Sequence, residues 1–426
     1  MGQSQYLVID QKSFYASVEC VERGLDPMTA NLIVADPERS DKTVCLAVTP
    51  AMKAQGVKSR CRVFEIPKRI NYITAPPRMR LYMDYSVRIY KIYLQYLAPC
   101  DIHIYSVDEA FLDVTRYLSY YQKTARELGQ EIMTEILKQT GIRAACGIGT
   151  NLYLAKVALD ITAKRAEDFI GELDEDSYRR TLWDHQPLTD FWRIGPGTAR
   201  RLAKYGVNTM GRIAQMDEEF LYRMFGVDAE LLIDHAWGRE SVTMEDIKRY
   251  RASSHSLSSG QVLPRDYNFE GGELIVKEMM DALCLDMADR GVTAGTVGLY
   301  LSYDRKQGKP SSKGTVKLPR PGNSGAELIP AVVSLYRKIA AKDGRLRRVN
   351  LTVQGLEPET DLQYEQYSLF EDPGEGEKRA RRRALQKAEL SVRRKYGKNA
   401  ILKGMNFLEG ATMRERNGQI GGHKSG

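Results

Sequence analysis

Three acidic residues stand where acids pack badly. Asp10 closes the apolar run Gln5-Tyr-Leu-Val-Ile-Asp10. Asp108-Glu109 sits between Ile102-His-Ile-Tyr-Ser-Val107 and Ala110-Phe-Leu-Asp-Val114, two segments that alternate like strands. Adjacent carboxylates between strands repel and need water or a cation. If the strand ending in Asp10 lies beside them, the three form a compact all-oxygen cage. Hard Mg²⁺ suits such a cage and keeps waters and substrate phosphate oxygens as its other ligands. Two such ions, roughly 3.5–4 Å apart, activate an attacking hydroxyl and stabilise a leaving pyrophosphate. An Asp-Glu pair alone is weak evidence, because strand-end acids are usually just solvated; the surroundings must decide.

The elements that would position these acids follow from periodicity. A helix over 13–23 follows the first strand, and residues 25–77, richer in Pro and mixed in pattern, read as a small inserted module. A long amphipathic helix over 80–97 lies between Pro77 and Pro99. A helix near 120–139, a strand near 142–148 and a helix near 151–165 complete a β-α-(insert)-α-β-β-α-β-α unit, an α+β domain. A short helical domain covers 171–243. Within it Arg193-Ile-Gly195-Pro-Gly197 through Gly206 reads as a tight Gly turn between two helices. Backbone amides at the start of the second helix can hold a phosphate, and the pattern resembles a helix-hairpin-helix, a sequence-independent binder of DNA backbone. Residues 253–356 read as strand 253–262, helix 272–290, strand 296–304, strand 314–318, helix 326–341 and strand 346–355, a split βαβ unit. Its basic residues Arg305, Lys306, Lys309, Lys313, Lys317, Arg320, Arg345, Arg347 and Arg348 fall in loops and strand ends.

Composition excludes several classes. At 426 residues, 42% hydrophobic and 28% charged, the chain is globular and long enough for two to four domains of roughly 100–200 residues. No stretch approaches the ~18 apolar residues of a membrane span, and the N-terminus has no secretory pattern. The closest pair of the six cysteines is Cys45 and Cys61, so there is no CxxC, and scattered thiols point to a reducing cytoplasm. Five histidines without a ligand pair argue against a His-rich metal site or a triad hydrolase. The net charge of +8 is uneven. Residues 1–250 are nearly neutral, 251–356 hold 16 basic and 10 acidic residues, 357–376 hold 7 acidic and no basic ones, and 377–426 hold 14 basic and 4 acidic. A basic domain and tail suit a polyanion, most often nucleic acid.

Two motifs make the reading specific. Asp10-Gln-Lys-Ser-Phe14-Tyr15-Ala-Ser-Val-Glu19 and Ser106-Val-Asp108-Glu109-Ala-Phe111-Leu-Asp113 resemble the paired signatures of the Y-family translesion DNA polymerases, and features after residue 357 look closest to the bacterial UmuC-like branch. The resemblance covers residues 5–356. It implies a right-hand polymerase with a ferredoxin-like palm (1–28 and 76–170), small fingers (29–75), a helix-hairpin-helix thumb (171–243) and a βαββαβ little finger (251–356). A linker and basic tail would follow at 357–426. It also implies template-directed, low-fidelity addition of dNTPs to a primer 3′-hydroxyl, with two Mg²⁺ ions, in DNA damage tolerance and mutagenesis.

Residue by residue, the resemblance makes Asp10, Asp108 and Glu109 the metal-binding carboxylates, with the Gln11 backbone carbonyl helping to hold the second ion. Tyr15 matches the steric gate that excludes a 2′-hydroxyl, and Phe14 beside it is expected, with Tyr15, to contact the nucleotide. Lys164 matches a triphosphate-contacting lysine, one residue later than in some relatives. Lys53 in Lys53-Ala-Gln-Gly56-Val57 resembles the basic residue before a Gly-Val turn that faces the triphosphate. Pro50 stands where many members carry a phosphate-touching tyrosine. Gln11 and Lys12 stand where an aromatic or Asn/Asp is common, and neither side chain is a metal ligand in the family. Gly195, Gly197, Lys313, Lys317, Arg320, Arg347 and Arg348 are the expected contacts to primer-template DNA. Asp113, in phase with Phe111, reads as structural.

In the acidic linker, Gln366-Tyr-Ser368-Leu369-Phe370 resembles the bacterial sliding-clamp-binding pentapeptide, with Leu369 and Phe370 as pocket-filling anchors. Accessory SOS proteins are further partners that the UmuC-like resemblance brings in. A catalytically silent, clamp-recruited adaptor is the alternative, but silent relatives lose the acidic triad that this chain keeps. A nucleotidyl cyclase or two-metal nuclease would need neither the hairpin, the basic split βαβ unit nor the clamp peptide.

Overall fold

The computed structural model describes residues 4–38, 40–164, 166–251, 255–359 and 374–426. The chain divides into two compact units, 1–251 with 423–426, and 252–422.

The first unit is organised by a sheet of order β5-β6-β1-β7-β8. Strand β1 (Tyr6–Gln11) runs into helix α1 (Phe14–Val21). The inserted module then builds its own small sheet from β2 (Leu32–Val34), β3 (Ala47–Val48) and β4 (Ile73–Ala75), with helix α2 (Pro50–Ala54) after β3. Its separate core gathers Ile33, Cys45, Val48, Met52 and Ile66. Helix α3 (Met79–Tyr96) leads to β5 (Ile102–Ile104), β6 (Glu109–Asp113) and helix α4 (Tyr117–Tyr121). Helix α5 (Ala125–Thr140), strand β7 (Ala144–Gly149), helix α6 (Leu152–Val157) and strand β8 (Ile170–Leu173) follow.

Strand β1 lies between β6 and β7, antiparallel to both, and its Leu7, Val8 and Ile9 are fully buried. Burial on both faces explains why the strand reads as a continuous apolar run without alternation. On one face Val8 packs with Phe111, Leu152, Ala155 and Leu159. Gly147 and Gly149 permit this. A Cβ at Gly147 would lie 2.1 Å from the Ala155 carbonyl oxygen, and one at Gly149 would lie 2.2 Å from the Ala155 nitrogen. Helix α6 therefore rests directly on the backbone of β7. It continues into a π turn, Ala158–Thr162, closed by the Ala163 N–H on the Ala158 carbonyl at 2.8 Å. The regular helix expected over 151–165 thus widens by one residue near its end, and β8, four residues including a Gly, went unanticipated.

Helices α7 (Glu175–Leu182), α8 (Pro196–Ala203), α9 (Met210–Ala214), α10 (Glu218–Phe225), α11 (Asp228–Ala236) and α12 (Met244–Arg249) complete the unit. What precedes α8 is a 3₁₀ turn, Leu188–Asp190, and not the full helix a hairpin implies. At the chain's end, the Ser425 carbonyl accepts from the Arg80 N–H at 2.8 Å and Lys424 pairs with Glu38 at 2.5 Å.

The second unit is a four-stranded antiparallel sheet of order β11-β10-β12-β9 backed by two helices. Its elements are β9 (Ser256–Tyr267), α13 (Phe269–Asp289), β10 (Val292–Tyr303), β11 (Ser312–Gly322), α14 (Gly325–Ile339) and β12 (Leu346–Pro358), the β-α-β-β-α-β order expected. Helix α15 (Gly374–Tyr396) carries the first basic residues of the tail, from Lys378 to Arg383, and its Arg383 pairs with Glu359 at 2.7 Å. The segment after α15 is not a loose tail. Glu278 of α13, fully buried, accepts from the Asn406 side chain at 2.7 Å and the Thr412 N–H at 2.8 Å, while Tyr267 donates to the Gly410 carbonyl. A buried carboxylate requires such partners, so the segment and α13 stabilise one another.

Candidate active site

The site lies at the end of β1 where its side chains leave the core. Register pairs Asp10 with Glu109 across β1 and β6, and the Gln11 N–H donates to the Asp108 carbonyl at 3.0 Å. The three acids expected from sequence are therefore neighbours. Enclosure by the protein, then repulsion from Asp108 and Glu109, pushes the Asp10 carboxyl up to about 8, against a smaller opposing pull from Lys156. Burial likewise raises the Glu109 carboxyl, although Lys156 pulls it down.

The cage is not closed. Among the described residues no group of three His, Cys, Asp or Glu side chains is gathered at metal-binding distance. The reason is local pairing. Lys156 of α6 places its ammonium 2.8 Å from Glu109 and 3.1 Å from Asp160, while Ser106 donates to Asp108 at 2.6 Å. Asp160 and Glu109 together outweigh burial and raise the Lys156 ammonium. Two acids pair with a single buried lysine that also attracts Asp10, Asp108 lies beside Asp10, and the side-chain donors of all four acids are hard oxygens. That surplus fits a divalent cation held by Asp10, Asp108 and Glu109.

Cations ring the same carboxylates. Lys53 of α2 has its ammonium lowered by partial desolvation and by Lys164, with Asp10 and Asp108 pulling the other way. Lys12 is lowered by burial first, then by Lys53, against Asp10, and again by Lys164 and Arg143. Lys53 and Lys164, distant in sequence, thus lie near enough to repel one another. Lys12 joins them unforeseen.

Tyr15 is half-buried and stacks on Tyr82, with ring centres 4.6 Å apart and 23° between planes. Tyr82 in turn donates to Glu19 at 2.8 Å, and Glu19 is clamped by Arg78. Tyr15 therefore rests on a fixed backing, and Asp108 helps raise its phenol after burial. Phe14 differs from expectation. It is 2% exposed, and its ring belongs to the core, unavailable to a nucleotide. Gln11 is also buried; its side-chain amide donates to the Tyr93 hydroxyl at 3.3 Å. Asp113 accepts from the Thr115 N–H at 3.0 Å, a structural role.

Gly195 caps α8 with Pro196 at its first position, and a Cβ at Gly195 or Gly197 would meet nothing within 4 Å. Neither glycine is needed for packing. In the second unit, Lys313, Lys317 and Arg348 are exposed on strands, not in loops. Lys313 lies across from Tyr300, Lys317 across from Thr296, and Arg348 beside Ser302 and Val262, positions alternating with the buried set. Arg320 and Arg347 are instead drawn to Glu327 at 3.5 Å and Asp266 at 3.7 Å. Gln366, Ser368, Leu369 and Phe370 lie outside the described residues. Among the described residues no helix is long and apolar enough to cross a membrane.

Sequence reasoning missed Lys156, Lys12 and Tyr82. Lys156 had a signal: Lys156 and Asp160 are four apart on a helix that otherwise buries every position from Leu152 to Val157.

Comparison with known proteins gives a consistent likeness. The impB/mucB/samB family profile matches residues 9–160, and the profile of that family's C-terminal domain matches 254–367. The chain is 30% identical, over 98% of its length and 97% of the other's, to a Bacillus subtilis (strain 168) protein provisionally named UV-damage repair protein UvrX. It is 27% identical to DNA polymerase IV 2 of the same organism over 99% of both chains. It is 28% identical to DNA polymerase IV of Moorella thermoacetica over 93% of this chain and 94% of the other. A solved Y-family DNA polymerase chimera matches in fold with a TM-score of 0.64 at 19% identity, over 83% of this chain and 99% of that one.

Proposed function

The chain belongs to the impB/mucB/samB family, the bacterial Y-family DNA polymerases, and from that premise we propose that it extends a DNA primer with dNTPs across damaged template. The observation that carries this reading is the pairing of Asp10 with Glu109, Asp108 beside them, and Lys53 drawn toward Asp10 and Asp108 with Lys164 near it.

Phosphoryl transfer asks a protein for positioning and charge neutralisation more than for covalent chemistry. Two Mg²⁺ ions, when bound, would supply that neutralisation and favour the 3′-hydroxyl as nucleophile. Asp10, Asp108 and Glu109 hold them, with the Gln11 carbonyl as a further oxygen. Lys53 and Lys164 take the triphosphate. Tyr15, backed by Tyr82, bars a 2′-hydroxyl. The amides opening α8 and the exposed strand cations Lys313, Lys317 and Arg348 hold primer-template phosphates. The fingers, a short three-stranded sheet with one five-residue helix, offer little surface to close over a base pair, which favours tolerance of distorted templates over fidelity. Residues 366–370 recruit the protein to a sliding clamp, accessory SOS proteins are candidate partners, and the work is cytoplasmic.

The silent-adaptor alternative is opposed by the retained acids. Primer extension on intact and lesion-bearing templates tests the reading. The wild type should incorporate dNTPs in Mg²⁺. The Asp108→Ala/Glu109→Ala double variant should not, while still binding primer-template through its Lys/Arg contacts. Incorporation by the double variant would show that the metal site lies elsewhere.

A further inference from the structure

Lys12 stands two residues after Asp10, at the step from β1 into α1, and the roles above leave it unused. Its backbone is fixed on both sides. The Lys12 N–H donates to the Arg143 carbonyl at 2.9 Å, and the Lys12 carbonyl accepts from the Ser17 hydroxyl at 2.6 Å. Ser13 follows in the left-handed region, φ 50° and ψ 43°, so the chain turns sharply into α1. From this pinned base the half-buried side chain lays its ammonium 3.5 Å from the centre of the Phe169 ring. An aromatic face steadies a cation without using its N–H groups, which leaves three donors for another partner.

The surroundings say what that partner is. Asp10 attracts the Lys12 ammonium, whereas Lys53, Lys164 and Arg143 all repel it. Four cations drawn together beside a carboxylate that must also serve a metal ion are unfavourable on their own. An anion of several charges between them removes the repulsion, and a polyphosphate has the size and charge for it. A packing role for Lys12 would need only its methylene stem against Phe169, which Met would supply equally well.

We infer that Lys12 is a triphosphate-binding residue, a third lysine beside Lys53 and Lys164, holding the non-transferred phosphates of the incoming nucleotide and the pyrophosphate they become. This rests on the polymerase reading. Lys12→Met keeps bulk over Phe169 and removes the charge; Lys12→Arg keeps the charge; Lys12→Gln is read in parallel so that one poorly folding variant does not remove the test. Losing one charge-assisted contact should raise dNTP KM about tenfold in Met and Gln, with kcat and primer-template affinity little changed. Inhibition by inorganic tripolyphosphate should weaken by the same factor, and Lys12→Arg should restore both. Wild-type KM and wild-type inhibition in Lys12→Met would overturn the inference. If the wild type extends no primer, the polymerase reading fails, and titration calorimetry with tripolyphosphate still decides on Lys12: equal affinity in wild type and Lys12→Met counts against it, weaker binding in the variant supports it.

Discussion

The Lys156 ammonium bridges two acids from different elements, 2.8 Å from Glu109 at the start of β6 and 3.1 Å from Asp160 in the π turn after α6. Its side chain is 9% exposed, against 10% for Glu109 and 28% for Asp160, so it neutralises charge largely shielded from water at Glu109 and partly shielded at Asp160. The Lys156 ammonium supplies part of the counter-charge that these carboxylates require.

That arrangement makes Lys156→Met informative. Leaving Glu109 and Asp160 without their counter-charge should cost about 3 kcal/mol, the low end for breaking a buried pair. Urea unfolding of metal-free protein measures it. Added Mg²⁺ should return more stability to the variant than to the wild type, because the acids it finds are unpaired. Equal Mg²⁺ responses would mean that Lys156 and the metal do not share these carboxylates.

The proposed sugar gate is a pair of rings. Tyr15 stacks on Tyr82, whose hydroxyl is tied to Glu19. Tyr15→Ala should leave dNTP incorporation measurable and raise ribonucleotide incorporation by about tenfold or more, since excluding a hydroxyl by contact is worth at least ~1.4 kcal/mol. Tyr82→Leu should move discrimination the same way by less, because the gate loses its backing but not its ring. The ratio of kcat/KM for dNTP and rNTP checks both, and an unchanged ratio in Tyr15→Ala makes that ring ordinary packing.

The acids were legible because the residues around Asp10 and around Asp108-Glu109 resemble a paired family signature; strand-end carboxylates in apolar runs conflict with packing but alone would have read as solvated. Lys156 was not, because an isolated lysine on a helix reads as solvated unless its tertiary partners are known. The extra residue in the π turn left no composition signal. Phe14 was misjudged because a motif gives adjacency without direction: Tyr15 is half-exposed while Phe14 turns inward. The packing of residues near 406–413 on α13 was hidden by their low periodicity. The readable clue was on the other side, in Glu278, an acid on the buried face of an apolar helix.

Recruitment can be separated from synthesis. Leu369 and Phe370 lie in a stretch of 7 acidic and no basic residues, so that stretch should not bind DNA. Changing both to Ala should leave synthesis on a short oligonucleotide unchanged. It should abolish stimulation by a loaded clamp, as truncating pocket-filling anchors costs ~2 kcal/mol or more each. Glu371→Ala, a rim charge, is the control. Undiminished stimulation of the double variant would reduce residues 366–370 to a chance match.

The strand cations of the second unit make the last prediction. Lys313, Lys317 and Arg348 occupy exposed positions of β11 and β12 that alternate with residues packed under α13 and α14, so they belong to the face away from those helices. Phosphate contacts release counter-ions, and each contact contributes about 0.9 to the slope of log affinity against log salt on duplex DNA. Changing all three to Gln should therefore flatten that slope by up to about 2.7 and weaken binding alike on every template sequence. Arg337→Gln is the contrast: its guanidinium sits on α14, bound to Glu273 at 2.7 and 2.9 Å. Glu273 is held down to about 2, first by Arg337 and, against some desolvation, also by Lys277. Because the folded carboxyl lies below its unfolded value, that stabilisation is present above pH ~4.5 and fades as pH falls toward 2. Arg337→Gln should shrink this acid-side loss of stability and leave the salt slope untouched. Fluorescence anisotropy from 50 to 200 mM salt separates the two, and an unaltered slope in the triple variant would remove this face from the DNA contact.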